Sequence, residues 1–293
     1  MQKLIIIEAP TNLGLKQLNA VEPGVNKLPR WLKQHGLYNA LQPQNIFHVA
    51  APPYRVELDE ESGVLNADAI VAYSKKLSAE ITAALTAKQF PLVIGGDCSI
   101  LIGCALGLKS LGNYGLFFLD GHTDYVTPAF SETKAVAGMD LAIVSGNGPD
   151  KLTNINSLHP YFEQANVFAV GNRCLEDDYV NLITNSNVNY YPLHAVRKQG
   201  INNIVSQFLE KTAHLNGFWI HLDLDVLENE VMPCVDSPQP GGLTYPELFA
   251  LLSPLFRSPK VAGINITILD PNLDPEGIYT SNFIKYFVTL FGV

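Results

Sequence analysis

The stretch Asp120-Gly121-His122-Thr123-Asp124 follows directly on Phe117-Phe118-Leu119, so a short apolar run breaks off into three side chains able to hold a metal. Carboxylate and imidazole this closely spaced exceed what capping a turn requires. A second such place is Phe218-Trp219-Ile220-His221-Leu222-Asp223-Leu224-Asp225-Val226. Strand alternation would put His221, Asp223 and Asp225 on one face and Leu222, Leu224 and Val226 on the other. Burying unpaired carboxylates side by side is costly, so they take up protons or pair with a cation, and a divalent metal resolves the conflict best. A third place is Leu92-Val93-Ile94-Gly95-Gly96-Asp97-Cys98-Ser99, where two glycines allow a sharp turn out of a strand and leave Asp97 and Cys98 beside its end.

These side chains can meet only if their strands end on the same edge of one sheet. Strands are expected at 4–7, 46–50, 91–94, 115–119, 166–170, 188–191, 217–225 and 262–269, and helices open near 24–32 and cover 67–87, 100–110, 175–184, 199–213 and 245–255. The helix over 67–87 is the clearest, with Ile70, Val71, Leu77, Ile81 and Leu85 at helical spacing. The segment 52–66 reads as an irregular loop. Alternation of helices with strands apolar on both faces indicates an α/β fold in three layers, a mainly parallel sheet flanked by helices. In such folds sites form outside the carboxyl ends of the strands. No repeat or linker divides residues 1–293, so a single domain is expected.

Composition narrows the function. The chain has 293 residues, 47% of them hydrophobic, and a formal net charge of −9, which disfavours nucleic acid or an anionic membrane surface as the main partner. The apolar run at 4–7 is too short for a signal-peptide core, and none approaches the roughly 20 residues of a membrane span, so a cytoplasmic protein is expected. Four cysteines without a Cys-x-x-Cys pair are expected to be reduced thiols. The oxygen-rich ligand set suits Mn²⁺ or a similar hard ion, and so many carboxylates could hold two ions sharing a hydroxide. The reaction class that follows is metal-assisted hydrolysis.

The chain resembles the ureohydrolases, the family of arginase, agmatinase and formimidoylglutamase. Their motifs Gly-Gly-Asp-His-Ser, Asp-Ala-His-x-Asp and Ser-x-Asp-x-Asp stand here as Gly95-Gly96-Asp97-Cys98-Ser99, Asp120-Gly121-His122-Thr123-Asp124 and His221-Leu222-Asp223-Leu224-Asp225. Pro240-Gly241-Gly242-Leu243, Gly171-Asn172-Arg173 and Asp270-Pro271-Asn272-Leu273-Asp274 resemble further family segments, so the likeness runs through nearly the whole chain. It implies an arginase-like fold with a central eight-stranded sheet and a binuclear manganese site. Its ligands would be Cys98, Asp120, His122, Asp124, Asp223 and Asp225, with Asp124 also accepting a hydrogen bond from a bridging hydroxide. It also implies a small-molecule substrate with a linear C–N bond in a guanidino, hydroxyguanidino or amidine group, and a homo-oligomer, a trimer or hexamer.

Three departures reshape that expectation. Cys98 replaces a histidine ligand, and a thiolate shifts preference toward Zn²⁺ or Fe²⁺. Ala137 falls where arginases have a proton-shuttle histidine, leaving His221 as the candidate for acid–base help. Ile268 falls where a glutamate pairs with the guanidinium, which argues against arginine itself, although Asp270 could stand in if the strand ran that far. Glu132, Lys134 and Glu176, in the loops 130–135 and 174–178, are candidates for reading an amino or carboxylate group of the substrate. The alternative is a non-catalytic arginase-like protein that binds a ligand or partner through an impaired metal site.

Overall fold

Runs of β-branched and aromatic residues that are apolar on both faces become the inner strands of one parallel sheet. The structure is a computed structural model that describes residues 3–17, 21–173 and 176–292. In chain order it begins with β1 (Lys3–Ala9), α1 (Leu28–Gln34), α2 (Leu37–Leu41), β2 (Asn45–His48), β3 (Leu58–Asp59) and β4 (Val64–Leu65). Next come α3 (Ala67–Thr86), β5 (Gln89–Gly95), α4 (Ile100–Lys109), β6 (Tyr114–Leu119), α5 (Asp140–Val144), α6 (Asp150–Thr153) and β7 (Val167–Val170). The rest is α7 (Asp177–Thr184), β8 (Asn189–Tyr191), α8 (Leu193–Gln199), α9 (Ile201–Thr212), β9 (Gly217–Asp223), α10 (Tyr245–Arg257), β10 (Val261–Thr267) and α11 (Ile278–Phe287).

Eight strands lie in the order β2-β1-β5-β10-β9-β6-β7-β8, and every neighbouring pair is parallel. The carboxyl ends of β5, β10, β9 and β6 therefore open side by side on one edge. Alternation along each strand feeds two cores. Ile94, Phe117, Ile220 and Ile264 pack with Leu28, Phe208, Leu248 and Phe283 on one face, while Val93, Phe118 and Trp219 pack with Leu77, Leu101 and Ile143 on the other. Among the described residues no helix is long and apolar enough to cross a membrane.

The structure corrects the sequence reading in several places. β9 stops at Asp223 instead of continuing to 225: the Asp223 carboxylate accepts the Asp225 N–H at 2.8 Å and starts a 3₁₀ turn over Leu224–Val226. His221, Asp223 and Asp225 thus do not share one strand face. β10 stops at Thr267 because Ile268 adopts a φ of 77°, a costly conformation for a β-branched residue, with its N–H given to the Gly96 carbonyl at 2.8 Å. Asp270 is accordingly no stand-in at the site, since its carboxylate accepts the N–H groups of Gly24 and Asn272, both at 2.8 Å. The expected loop 52–66 contains the antiparallel pair β3–β4. Of the expected helix 175–184, α7 begins at Asp177, while Cys174 and Leu175 lie outside the described residues.

Candidate metal centre

The first side of the centre is built where β5 turns into α4. Gly96 allows that turn to press against the loop after β1: a Cβ there would sit 1.6 Å from the Thr11 carbonyl oxygen. Asp97 points back into the turn, its Oδ1 accepting the Ser99 N–H at 2.8 Å, and so holds the loop that presents Cys98. The buried Cys98 thiol lies 2.8 Å from Asp223 Oδ2, at the end of β9, and 3.1 Å from Thr267 Oγ1, at the end of β10.

Two sets of possible ligands result. Ligand atoms of Cys98, Asp120, His221 and Asp223 lie within 4.8 Å of one another, and so do those of Asp120, His122 and Asp225. Asp120 belongs to both. In the second set His122 Nδ1 is 2.8 Å from Asp225 Oδ2 and 3.8 Å from Asp120 Oδ1. Arg173 braces this side from behind, its guanidinium donating to the carbonyls of Asp225, Val226, Leu227, Gln239 and Pro240. Asp124 belongs to neither set, but it lines the cavity beside His122 and Asp225.

The electrostatics are those of a place built for cations. Burial, with like charges adding, drives Asp120, Asp124 and Asp223 well above the usual carboxylate range. Burial pushes the Cys98 thiol up as well, helped by the charges of Asp223 and Asp140. Asp225 goes the other way: burial opposes its charge, but His122, the Gly121 N–H and Arg173 hold it below the usual range. His122 is raised, its burial outweighed by Asp225. Burial lowers His221 to about 3. Asp120 Oδ2, Asp140 Oδ2 and His221 Nε2 are all buried without a hydrogen-bond partner. Buried polar atoms are nearly always paired, so carboxylates left this way fit a divalent ion.

Above the ligands opens a cavity of about 310 Å³ whose floor includes His122, Asp124, Asp223, Asp225 and Ile268. Glu132 and Glu176 line its wall together with Asp236 and Lys16. Lys134 does not line it, and its ammonium donates to the Pro128 carbonyl instead. His221 sits beneath the floor, fully buried.

A family profile described as "Arginase family" matches residues 3–291. The chain belongs to the arginase family. The members of this family are ureohydrolase enzymes. A curated arginase of Staphylococcus aureus strain COL is 27% identical over 297 residues, covering 98% of this chain and 96% of its own length. The solved arginase of Bacillus caldovelox superposes with a TM-score of 0.89 at 26% identity, covering 100% of this chain and 99% of that one. A proclavaminate amidino hydrolase of Streptomyces clavuligerus, 18% identical with a TM-score of 0.73 over 99% of this chain and 90% of its own, shares the fold.

This arginase-family chain also carries site residues that sequence reasoning passed over. Asp140 reads as an ordinary first residue of a helix, and its Oδ1 does accept the Leu141 N–H at 2.7 Å. Its Oδ2, however, faces His221 Nε2 at 3.9 Å, with both residues fully buried. Asn265 and Thr267 carry a readable signal, since two polar residues at period two interrupt the otherwise apolar strand Val261–Thr267. Asp236 gave no signal, because only the fold of the 227–243 loop brings it to the cavity wall.

Proposed function

We propose that this chain is a metal-dependent hydrolase of linear C–N bonds in a guanidino, hydroxyguanidino or amidine compound. The observation that carries the proposal is the pair of ligand sets that share the buried Asp120 beneath one cavity, with Asp120 Oδ2 left without a hydrogen-bond partner. One ion would be held by Cys98, Asp120 and Asp223 and a second by Asp120, His122 and Asp225. Two Mn²⁺-type ions suit the oxygen ligands, with Zn²⁺ or Fe²⁺ favoured wherever the Cys98 thiolate binds. When bound, the ions supply Lewis acidity and lower the pKa of water so that a nucleophile forms near neutral pH.

The chain's own residues do the rest. Asp124 lines the cavity and would be the carboxylate that accepts a proton from the attacking water. Ile268 puts an apolar surface where a guanidinium would need a counter-charge, and a buried cation without one loses about 2–5 kcal/mol of binding. Arginine is therefore a poor substrate, and a less basic amidine or a hydroxyguanidine a better one. Glu132 and Glu176 favour a substrate whose far end carries an amino group.

The test is protein purified in Mn²⁺, analysed for bound metal and assayed for urea or ammonia release over guanidino, hydroxyguanidino and amidine compounds. About two metal equivalents and turnover of a compound other than arginine are expected. Less than one equivalent overturns the reading. Full metal with no turnover across the panel leaves the chain as a ligand-binding relative, for which Ala137 and Ile268 would be the reason.

A further inference from the structure

His221 is close enough to Cys98, Asp120 and Asp223 to be counted with them as a ligand. The hydrogen bonds behind it assign a different role. The Trp219 indole N–H, which can only donate, gives its hydrogen to Asn265 Oδ1 at 2.7 Å. That contact fixes which end of the Asn265 amide is oxygen. The NH₂ end then lies 2.7 Å from His221 Nδ1, so Nδ1 must accept. A neutral imidazole that accepts at Nδ1 carries its hydrogen on Nε2. The Nε2–H faces Asp140 Oδ2 at 3.9 Å, a gap too narrow for an intervening water, and neither atom has another partner.

We infer that Trp219 and Asn265 lock His221 as the Nε2–H tautomer, making it a positioning residue that presents a hydrogen-bond donor to Asp140 beneath the metal centre, and not a metal ligand. Histidines that bind metal through one nitrogen usually donate an N–H from the other, whereas here the other nitrogen receives one. Binding an ion through Nε2 would require its hydrogen to move to Nδ1, where it would confront the Asn265 NH₂ donor to donor.

The fold is shaped around this line of contacts. Asn265 on β10 is the register partner of His221 on β9, and His221 is in turn the partner of Phe118 on β6. The Phe118 ring stacks on the imidazole at 4.6 Å with 10° between planes, which sets the ring's tilt. Opposite Trp219, β10 has Gly263, where a Cβ would sit 2.4 Å from indole Cζ3 and 2.7 Å from the Pro91 carbonyl oxygen. A side chain there would push the indole away from Asn265. The inference rests on the proposed hydrolase and deepens it by giving the reason that His221, close as it is, stays out of a first ligand set of Cys98, Asp120 and Asp223.

The test is ¹⁵N NMR of ring-labelled histidine in the full chain, with the His221 signals assigned by their loss in His221→Gln. A protonated nitrogen and a bare one resonate far apart, so the tautomer is read directly. The expected result is hydrogen on Nε2 in the chelated protein and unchanged after saturation with Zn²⁺. Hydrogen on Nδ1, or a Zn²⁺-dependent loss of hydrogen from Nε2, overturns the inference. Asn265→Asp offers only acceptors and is expected to move the hydrogen to Nδ1; a signal that stays on Nε2 also overturns it. If that variant does not fold, Trp219→Phe frees the amide to flip and is expected to give both tautomers, whereas a pure Nε2–H signal counts against the lock. Failure of Zn²⁺ to bind at all would sink the hydrolase reading, while the tautomer of the chelated protein would still decide this one.

Discussion

Stripping divalent metal should make the folded chain less stable as pH rises through the neutral range. Asp120, Asp124 and Asp223 have folded pKa values above their ordinary 3.8, so their stabilisation is complete below the unfolded pKa and is lost as pH rises through the folded values. Asp225 has a lowered pKa and contributes the opposite way, but that contribution is lost only in acid and is constant near neutrality. His221, lowered from 6.5 to about 3, favours the fold increasingly as pH climbs to about 6.5 and is constant above it, so the clean window is pH 7–8. The raised His122 has the same sign there as the three carboxyls. Each group that keeps its proton in the fold removes at most about 1.4 kcal/mol per pH unit. At roughly 2 cal/mol/K per residue, unfolding a chain of this size carries about 0.6 kcal/mol/K of entropy, so one such group shifts Tm by about 2 °C per pH unit. Scanning calorimetry in chelator should show Tm falling between pH 7 and 8, by at most about 2 °C for each group still protonated there, and saturating Mn²⁺ or Zn²⁺ should flatten or reverse the fall, since the ions take the protons' place. A chelated Tm that stays level or rises over this window refutes the reasoning.

Three substitutions probe how the site is held. Gly96→Ala forces a Cβ to within 1.6 Å of the Thr11 carbonyl, and both sides of that clash are backbone; a loss above about 4 kcal/mol in urea unfolding, or no soluble protein, is expected, and a wild-type midpoint would count against it. Arg173→Met takes a donor from five carbonyls of the 225–240 region, of which Val226 keeps the Leu243 N–H at 2.8 Å; this should cost about 3 kcal/mol and make that region the first site of limited proteolysis. Ile268→Gly sets about 2–5 kcal/mol of lost burial against about 1–3 kcal/mol of relieved backbone strain. A net cost below about 2 kcal/mol is expected, and 4 kcal/mol or more would mean that the φ of 77° stores little strain.

Much of the fold was legible because most of the strands that build the sheet are buried on both faces and bounded by glycine, proline or a helix. The same cues placed Cys98, Asp120 and Asp223 at strand ends, and a parallel sheet does the rest by opening those ends on one edge. What escaped was decided by local or distant hydrogen bonds. At Asp223 a side chain capturing the Asp225 N–H ended the strand two residues early, which alternation alone cannot foresee. Lys134 looked available to a substrate, but a carbonyl six residues away in its own loop holds its ammonium. Helices α5, α6 and α8 are only 4–7 residues long, too short for a full amphipathic stripe. The ten-residue α11 was simply not anticipated.

β10 supplies none of the proposed ligands and yet helps to hold the first set. It lies between β5 and β9, so each polar side chain on its inner face meets a residue from a neighbouring strand end. Thr267 takes a contact from the Cys98 thiol at 3.1 Å and returns its own hydrogen to the Leu222 carbonyl at 3.4 Å, tying the β5 and β9 sides of the first ligand set together. Asn265, two residues earlier, fixes the His221 ring beneath the same set. One residue beyond Thr267 the chain turns to a positive φ and puts Ile268 into the cavity floor. Within four residues the chain passes from orienting an imidazole, through tethering a thiol, to presenting an apolar surface to substrate. The apolar patch beside the charged floor is therefore a consequence of the β10 end, and a change in substrate preference at Ile268 can be made without disturbing the ligands only if the Ile268 N–H keeps its bond to the Gly96 carbonyl.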